Sequence, residues 1–435
     1  MLHRNVPVSN MTITRRRAFG QKYAFVVIGV IFCSLLVAAG VRATPGVLIL
    51  PLENAFGWSR DVVSLSAAVG IFIYGLIGPF AAALMQGFGV RRTLMSGLAL
   101  MSASAALSAF MTESWHLILT WGVLSGLGSG CVAIVLGATV VNRWFVKNRG
   151  TVMGLLTAST ATGTLVFLPG LAAIAEGGGW RPVVLAIAAG TALLIPVAFW
   201  LLPEKPSDIG LVPYGADPQA AAATEGPRRN PIAIALGVLY QAVGRRDFWL
   251  LFATFFVCGF TTNGLIGTHL IAMCGDHGIP EVQAASLLAA MGIFDLIGTT
   301  ASGWLTDRFD SRKLLFAYYG VRGLSLIYLP FSDFSLYGLS VFAVFYGLDW
   351  IATVPPTLRL ITGSFGDRDA PVVFGWIITG HQIGAASAAF FAGYLRTVQG
   401  NYVDALVIAG ATGVIAAFLA LMIGRARARP ALAAA

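Results

Sequence analysis

The chain has 435 residues, of which 57% are apolar and only 11% charged, and its net charge is +9. Soluble domains hold about 25% charged residues, so this composition excludes a water-soluble fold and indicates a polytopic membrane protein. The basic excess lies between apolar runs, where it sets membrane topology and does not indicate a nucleic-acid partner.

Known chemical motifs are missing from the sequence. The four cysteines, Cys33, Cys131, Cys258 and Cys274, have no paired spacing, and no phosphate loop or nucleophile elbow is present. We therefore expect no catalytic site, metal site or cofactor.

Twelve apolar runs are long enough to cross a hydrocarbon core of about 30 Å. They are 24–50, 61–86, 92–112, 115–141, 151–175, 182–202, 248–273, 282–305, 313–331, 334–360, 371–396 and 402–424. Backbone that faces lipid must be bonded internally, so each run is predicted to be a helix. The predicted fold class is an all-α membrane protein with twelve transmembrane helices.

The longest interruption, 203–247, holds six prolines and four arginines and is predicted to link two six-helix halves. The predicted order is a tail at 1–23, an N-terminal bundle at 24–202, the linker at 203–247, a C-terminal bundle at 248–424 and a tail at 425–435.

The distribution of basic residues predicts the orientation. With the N-terminus inside, 22 of the 28 lysines and arginines fall on inside segments and only Arg60, Arg181 and Arg396 on outside loops. This asymmetry places both termini and the linker in the cytoplasm, with the helices in the cell membrane.

One loop recurs six helices later. The loop after the second helix reads A-A-L-M-Q-G-F-G-V-R-R (82–92), and the loop after the eighth reads G-W-L-T-D-R-F-D-S-R-K (303–313). Internal duplication is typical of secondary transporters, whose substrate site lies between the repeats near the midplane.

Segment 303–313 resembles the major facilitator superfamily signature G-x-L-x-D-R-x-x-x-R-[RK]. The resemblance covers nearly the whole chain and implies two pseudo-symmetric six-helix bundles that work by alternating access. It also implies a cytoplasmic gate at Asp307, Arg308 and Arg312, with Arg91 in the first copy. Gln86-Gly87 replace the Asp-Arg pair in that copy, which argues against a charge relay there.

Further segments resemble the monocarboxylate-porter and oxalate/formate-exchanger branch of that superfamily. They are the fifth-helix entry W-F-V-K-N-R-G (144–150), the central-loop start at 202–215 and I-Y-G-L-I-G-P (73–79). The segment F-G-W-S-R (56–60) fits the branch's first-helix signature only loosely. The resemblance implies a small organic anion as substrate, with a monocarboxylate favoured, together with protons or an exchanged anion.

Arg42 is the strongest candidate for substrate binding. A charge inside the bilayer is costly and persists only against a partner, water or an anionic ligand. Arg42 is expected either to hold a substrate carboxylate or to pair with Asp295 or Asp349. Pro45 and Gly46 are expected to loosen the first helix nearby.

Asp295 is the first candidate for proton coupling. The resemblance implies a proton-linked Asp in the eighth helix with an Arg four residues later, but here position 299 is Thr. Asp295 is therefore expected to act as a proton carrier without that Arg, or as a hydrogen-bonded structural acid or a partner of Arg322.

Asp349 and Tyr346 share a face of the tenth helix that the resemblance places on the cavity. Tyr346 is expected to contact substrate. Asp349 is either a second proton site or the partner of Arg322, and the second interpretation is favoured because the resemblance implies a peripheral ninth helix.

His381 and Tyr74 complete the candidate set. His381 suits proton-linked gating through its ordinary pKa of about 6.5, or it is a packed neutral histidine. Tyr74 either donates a hydrogen bond to a carboxylate or fills space left by glycines. His269 and His277 are expected near the outer surface and carry less weight.

Three other functions compete with an anion transporter. A proton-driven exporter of amphipathic compounds fits the same fold. A non-transporting membrane sensor would need an output domain, and an intramembrane enzyme would need a nucleophile or metal constellation; the sequence offers neither. One chain holds both halves, so a monomer is possible, and the sequence does not determine the oligomeric state.

Overall fold

The computed structural model describes residues 9–216 and 230–424, and this part of the chain is almost wholly helical. Within it we number twelve long helices: α1 Ser9–Phe56, α2 Arg60–Gly87, α3 Val90–Ser108, α4 Ser114–Trp144, α5 Arg149–Gly178, α6 Trp180–Leu201, α7 Arg246–Asp276, α8 Glu281–Thr306, α9 Ser311–Phe331, α10 Tyr337–Phe365, α11 Ala370–Gln399 and α12 Val403–Ala420. The predicted tail at 425–435 lies outside the described residues.

Eleven helices of the described chain are long and apolar enough to cross a bilayer. The exception is α3, which has 19 residues but includes Arg91, Arg92 and four serines. The all-α membrane fold is confirmed, and each of the twelve predicted runs overlaps one long helix.

The helices form two sets, α1–α6 and α7–α12, which meet along three seams. These seams are α2 against α11, α5 against α8, and α1 against the second half of α7. At Gly46 of α1, a Cβ atom would lie 3.1 Å from the backbone oxygen of Thr268 and 3.2 Å from that of Gly267. The missing side chain therefore lets α1 and α7 approach closely.

The connection between the sets is partly structured. Tyr214 pairs with the end of α4, where its N–H donates to the Trp144 oxygen at 2.7 Å. A further helix, Pro231–Val243, precedes α7 and accepts a hydrogen bond at Ala235 O from Trp376 Nε1 (3.0 Å). The sequence interpretation as a plain linker missed this helix. We call the end of the bundle that bears this connection the linker end, and the opposite end the far end.

Four helices carry the features that shape the site. The helix α1 runs without interruption through Pro45 and Pro51, so the expected loosening at Pro45-Gly46 is wrong. The irregular backbone lies elsewhere. Wide π-helical turns occur at Ile118–Leu124 in α4 and Phe260–Ile266 in α7. The helix α10 breaks between Asp349 and Val354.

Candidate functional site

A cavity of about 470 Å³ lies between the two sets of helices. Its walls come from α1, α2, α4 and α5 on one side and α7, α8, α10 and α11 on the other. Most lining residues are apolar or small, and among the described lining residues only Arg42 and Asp295 carry charge. The cavity has the size and apolar walls of small-molecule sites, which range from about 300 to 1,000 Å³.

Arg42 and Tyr74 meet on one wall of this cavity. The guanidinium carbon of Arg42 lies 5.1 Å from the centroid of the Tyr74 ring, a cation–π contact between α1 and α2. The Nη1 atom of Arg42 is buried and has no hydrogen-bond partner. In the described part of the chain Arg42 forms no ion pair with Asp295 or Asp349, so this structure lacks the salt bridge considered as its alternative role.

Asp295 lines the cavity from α8 and is 5% exposed. Its Oδ1 atom accepts the hydroxyl of Thr299 and the backbone N–H of Ile351, each at 2.9 Å. Thr299, at the position where the resemblance implies an Arg, is thus a hydrogen-bond donor to the acid. Ile351 lies in the break of α10, so Asp295 connects the cavity to that break.

Arg322 of α9 pairs with Asp349, not with Asp295. Its Nε donates to Asp349 Oδ2 at 2.7 Å. Its Nη2 donates to the backbone oxygens of Asp349 and, at 3.2 Å, Trp350. Carbonyls at a helix end have no partner within the helix, so Arg322 satisfies those that the break leaves free. The pair does not line the cavity.

Tyr346 and His381 also lie outside the cavity lining. The Tyr346 hydroxyl donates to the Thr261 oxygen at 2.8 Å, and the residue is 2% exposed. Thr261 lies in the π-helical part of α7, so Tyr346 stabilises that turn and forms no cavity contact. The ring of His381 packs 5.2 Å from that of Phe255 and is near Cys258. This environment is that of a packed histidine.

The irregular backbone segments face the cavity, which the sequence did not reveal. Trp121 lies in the π-helical part of α4, Asn263 in that of α7, and Trp350 with Ile351 in the break of α10; all four line the cavity. Irregular backbone at membrane depth is tolerated where it lines a cavity, and π-helical turns often mark functional sites. Trp121 is 2% exposed, and its Nε1 has no hydrogen-bond partner.

Charged groups join the two sets of helices at the far end. Arg60 of α2 makes two bonds of 2.7 Å to Glu53 of α1 and reaches Asp276 of α7 at 2.9 Å. Asp276 also accepts from Arg396 of α11 at 2.8 Å, and Tyr402 lies 3.2 Å from Arg60. We call Glu53, Arg60, Asp276, Arg396 and Tyr402 the far-end network.

His269 extends this network inward. It is fully buried, with Nδ1 3.0 Å from the Tyr402 hydroxyl and Nε2 2.8 Å from the Ala389 oxygen. His269 therefore lies close to the far end but is not exposed at the surface. It is a buried connector between α7, α11 and the start of α12.

The predicted gate residues make contacts within one half at the linker end. Asp307 pairs with Arg359 at 3.3 Å, while Arg308 stacks on Trp304 with 4.0 Å between guanidinium and ring. Arg312 pairs with Asp310 at 2.6 Å and holds the pKa of that carboxyl below its usual value.

The first-half copy of the loop is held differently. The Glu204 carboxylate accepts the backbone N–H groups of Val90 (2.6 Å) and Arg91 (3.0 Å) and so caps α3. The Arg91 guanidinium carbon lies 5.4 Å from the Phe199 ring centroid. Each ion pair described at this end stays within one half, whereas the far-end network crosses between halves.

Comparison with known proteins agrees with this architecture. The sequence profile of the Major Facilitator Superfamily matches residues 30–389 and 261–434. Monocarboxylate transporter 13 of Rattus norvegicus is 28% identical over 390 residues, covering 89% of this chain and 85% of that protein. The uncharacterized MFS-type transporter YcxA of Bacillus subtilis is 26% identical and covers 81% and 83% respectively. Monocarboxylate transporter 11 of Homo sapiens is 26% identical and covers 98% and 88%.

Solved structures show the same fold. A bacterial homolog of the human lysosomal transporter Spinster, inward-facing and unoccupied, superposes with a TM-score of 0.73 at 15% identity, covering 92% of this chain and 97% of that one. The D-xylose-proton symporter gives 0.72 at 13% identity, with 92% and 98% covered. The profile match over most of the chain, the helical architecture and the cavity between its halves lead to one conclusion: this chain belongs to the Major Facilitator Superfamily and is an integral, multi-pass membrane transporter.

Proposed function

We propose that this transporter carries small organic anions, monocarboxylates above all, coupled to protons and by alternating access. The observation that carries the proposal is Arg42, a cation on the cavity wall whose buried Nη1 has no hydrogen-bond partner. A planar guanidinium binds a carboxylate through two parallel hydrogen bonds, which a lone ammonium does not match. Relatives named monocarboxylate transporters support the same class of substrate.

Asp295 is the proposed proton carrier. It is the second charged residue among the described cavity-lining residues, and it is almost fully buried. As a carboxylate, Asp295 repels an anionic substrate and competes with it for the electrostatic attraction of the Arg42 guanidinium. Protonation removes that competition, so proton binding and anion binding favour each other, and by linkage each strengthens the other equally. We assign the proton to Asp295 ahead of Asp349 and His381, because neither of those lines the cavity.

The proposed orientation places the linker end in the cytoplasm, as the basic residues predict. The far-end network then closes the outer side in this state. Alternating access requires Arg60 to release Asp276 and the two halves to close at the linker end. Asp307, Arg308, Arg312 and Arg91 lie at the surface that would close. One chain supplies both halves, so a monomer suffices for transport.

The test is uptake of labelled small carboxylates into liposomes that contain the purified protein, with and without an inward proton gradient. Gradient-stimulated uptake of one acid that is lost in Arg42→Gln supports the proposal. Arg42→Lys is the matched control, because it keeps the positive charge and removes the planar guanidinium that donates two parallel hydrogen bonds. It should retain part of the uptake. Uptake that does not respond to the proton gradient but requires substrate inside the liposomes would show anion exchange and contradict proton coupling.

A proton-driven exporter of amphipathic compounds is the second candidate. It is favoured by the aromatic cavity walls at Trp121 and Trp350. On that account Arg42 has no substrate to bind, and no carboxylate should be taken up. A membrane sensor predicts no counterflow of any compound.

A further inference from the structure

Trp121 is the second buried donor in the cavity with no partner of its own. Its indole N–H belongs to a residue that is 2% exposed and lies in the π-helical turn of α4. A buried donor left unpaired is unfavourable by about 1–3 kcal/mol, so a residue kept this way points to a ligand acceptor.

The two residues that carry these unpartnered donors, Arg42 and Trp121, both contact α2. Arg42 faces the ring of Tyr74. One turn earlier on the same helix, a Cβ at Gly70 would lie 2.8 Å from the backbone oxygen of Trp121. Residues four apart share a helix face, so Arg42 and Trp121 border adjacent turns of one cavity wall. Both residues line the cavity, and two donors on one wall can be shared by the two oxygens of one carboxylate.

The rest of the cavity restricts the substrate further. Its volume is about 470 Å³, well beyond what a carboxylate alone fills, and Tyr74, Trp121 and Trp350 supply aromatic surface. Asp295 is the other charged group among the described lining residues. A second substrate carboxylate would meet this acid and no second cation.

We propose that Trp121 Nε1 donates to the substrate carboxylate beside Arg42, and that the substrate is a monocarboxylate with an apolar body of about the size of an aromatic ring. This inference rests on the proposed anion transport and specifies its substrate. Dicarboxylates and acids as small as acetate bind poorly, the first for lack of a second cation and the second for lack of apolar contact.

Five probes separate these statements: phenylacetate, acetate, phenylmalonate, 2-phenylethanol and phenylethylamine. Binding is measured as the concentration of each probe that raises the unfolding temperature of the purified protein. Unfolding is detected when the buried thiols of Cys258 and Cys274 become accessible and react with a fluorogenic maleimide. Phenylacetate is expected to stabilise at far lower concentration than the other four.

Trp121→Phe keeps a ring and removes the N–H. It is expected to weaken phenylacetate by about tenfold, the effect of losing a hydrogen bond to a charged group, and to leave 2-phenylethanol unchanged. Trp180→Phe is the matched control, because Trp180 is buried in the same half and does not line the cavity. It should bind phenylacetate as the wild type does.

Several results would overturn the inference while anion transport stands. One is phenylmalonate or acetate binding as tightly as phenylacetate. Another is Trp121→Phe weakening phenylacetate and 2-phenylethanol alike, because this would reduce Trp121 to a packing role. If no probe stabilises the protein, the proposed class of monocarboxylates with a ring-sized apolar body is also overturned. The uptake assay with a proton gradient then tests anion transport independently. Stabilisation by phenylethylamine alone would overturn both proposals.

Discussion

The backbone N–H of Ile351 donates to the Oδ1 of Asp295 at 2.9 Å, which joins the break of α10 to the only acid among the described cavity-lining residues. A charged acceptor forms a stronger hydrogen bond than a neutral one. On the proposed function, the charge of Asp295 affects both the electrostatic field around Arg42 and the conformation of α10. In that proposal Asp295 takes up the proton, so this hydrogen bond links proton uptake to movement of α10.

Asp295→Asn should separate transport from its proton coupling. The amide oxygen can still accept from Ile351 and Thr299, so the break of α10 is retained, but the residue no longer takes up a proton. We expect counterflow to persist and the response of uptake to an inward proton gradient to vanish. Asp349→Asn is the comparison, and it should keep the gradient response if it stays folded. If Asp295→Asn still responds to the proton gradient, Asp295 is not the proton-coupling residue.

Tyr74 should matter through its ring more than through its hydroxyl. Tyr74→Phe keeps the aromatic face below Arg42, and Tyr74→Leu removes it. A cation–π contact is worth about 0.5–2 kcal/mol, so KM for the transported acid should rise roughly two- to thirtyfold in Tyr74→Leu and stay near wild type in Tyr74→Phe. Equal effects of the two substitutions would assign the role to the hydroxyl.

Arg322 should be the most sensitive charged residue for stability. Arg322→Met leaves the buried Asp349 without a counter-ion and frees the carbonyls at the α10 break. The free energy of unfolding should fall by about 3–5 kcal/mol, measured by titrating the purified protein from mild detergent into SDS. The control is Arg359→Met, whose pair with Asp307 is exposed and should contribute about 0–1 kcal/mol. Similar losses in both variants would contradict the assigned role of Arg322.

We expect α1 and α7 to separate at the far end during transport. A Cβ at Gly275 of α7 would lie 2.5 Å from Leu50 Cδ1 of α1, so Leu50→Cys with Gly275→Cys places two thiols across this seam. In a background with the exposed Cys33 changed to Ser and the neighbouring Cys274 changed to Ala, oxidation should stop counterflow and a reductant should restore it. Variants that carry only Leu50→Cys or only Gly275→Cys in the same background should not respond. Full counterflow in the cross-linked protein would show that α1 and α7 do not separate.

The positions of the long helices could be predicted because an apolar run of bilayer length indicates a helix by itself, and eleven helices of the described chain are apolar enough to cross the bilayer. The sequence favours Asp349 as the partner of Arg322 but does not exclude Asp295, since Asp349 lies 27 residues away on another helix and only the packing of α9 against α10 decides between the two acids. The favoured sequence interpretation, a pair with Asp349, agrees with the structure.

The π-helical turns and the break of α10 could not be predicted from the amino-acid composition of the apolar runs. Nothing in the run around Trp121 distinguishes a π-helical turn from a regular helix, and Pro45, which did suggest a disturbance, is accommodated in a continuous α1. The α10 break depends on donors and acceptors from α8 and α9 that a single-helix pattern does not contain. Trp121 escapes sequence reasoning for the same reason. The buried contacts of His269 escape it because Tyr402 and Ala389 are distant in sequence.

The most direct test of the central claim is the pH dependence of phenylacetate binding in wild type, Asp295→Asn and Arg42→Gln. Measurements between about pH 6 and pH 8 keep the probe ionised, because an ordinary carboxylic acid titrates near pH 4. The account predicts that wild-type affinity rises as the pH falls, that Asp295→Asn binds tightly across the whole range, and that Arg42→Gln does not bind. The same pH dependence in Asp295→Asn as in the wild type would contradict it.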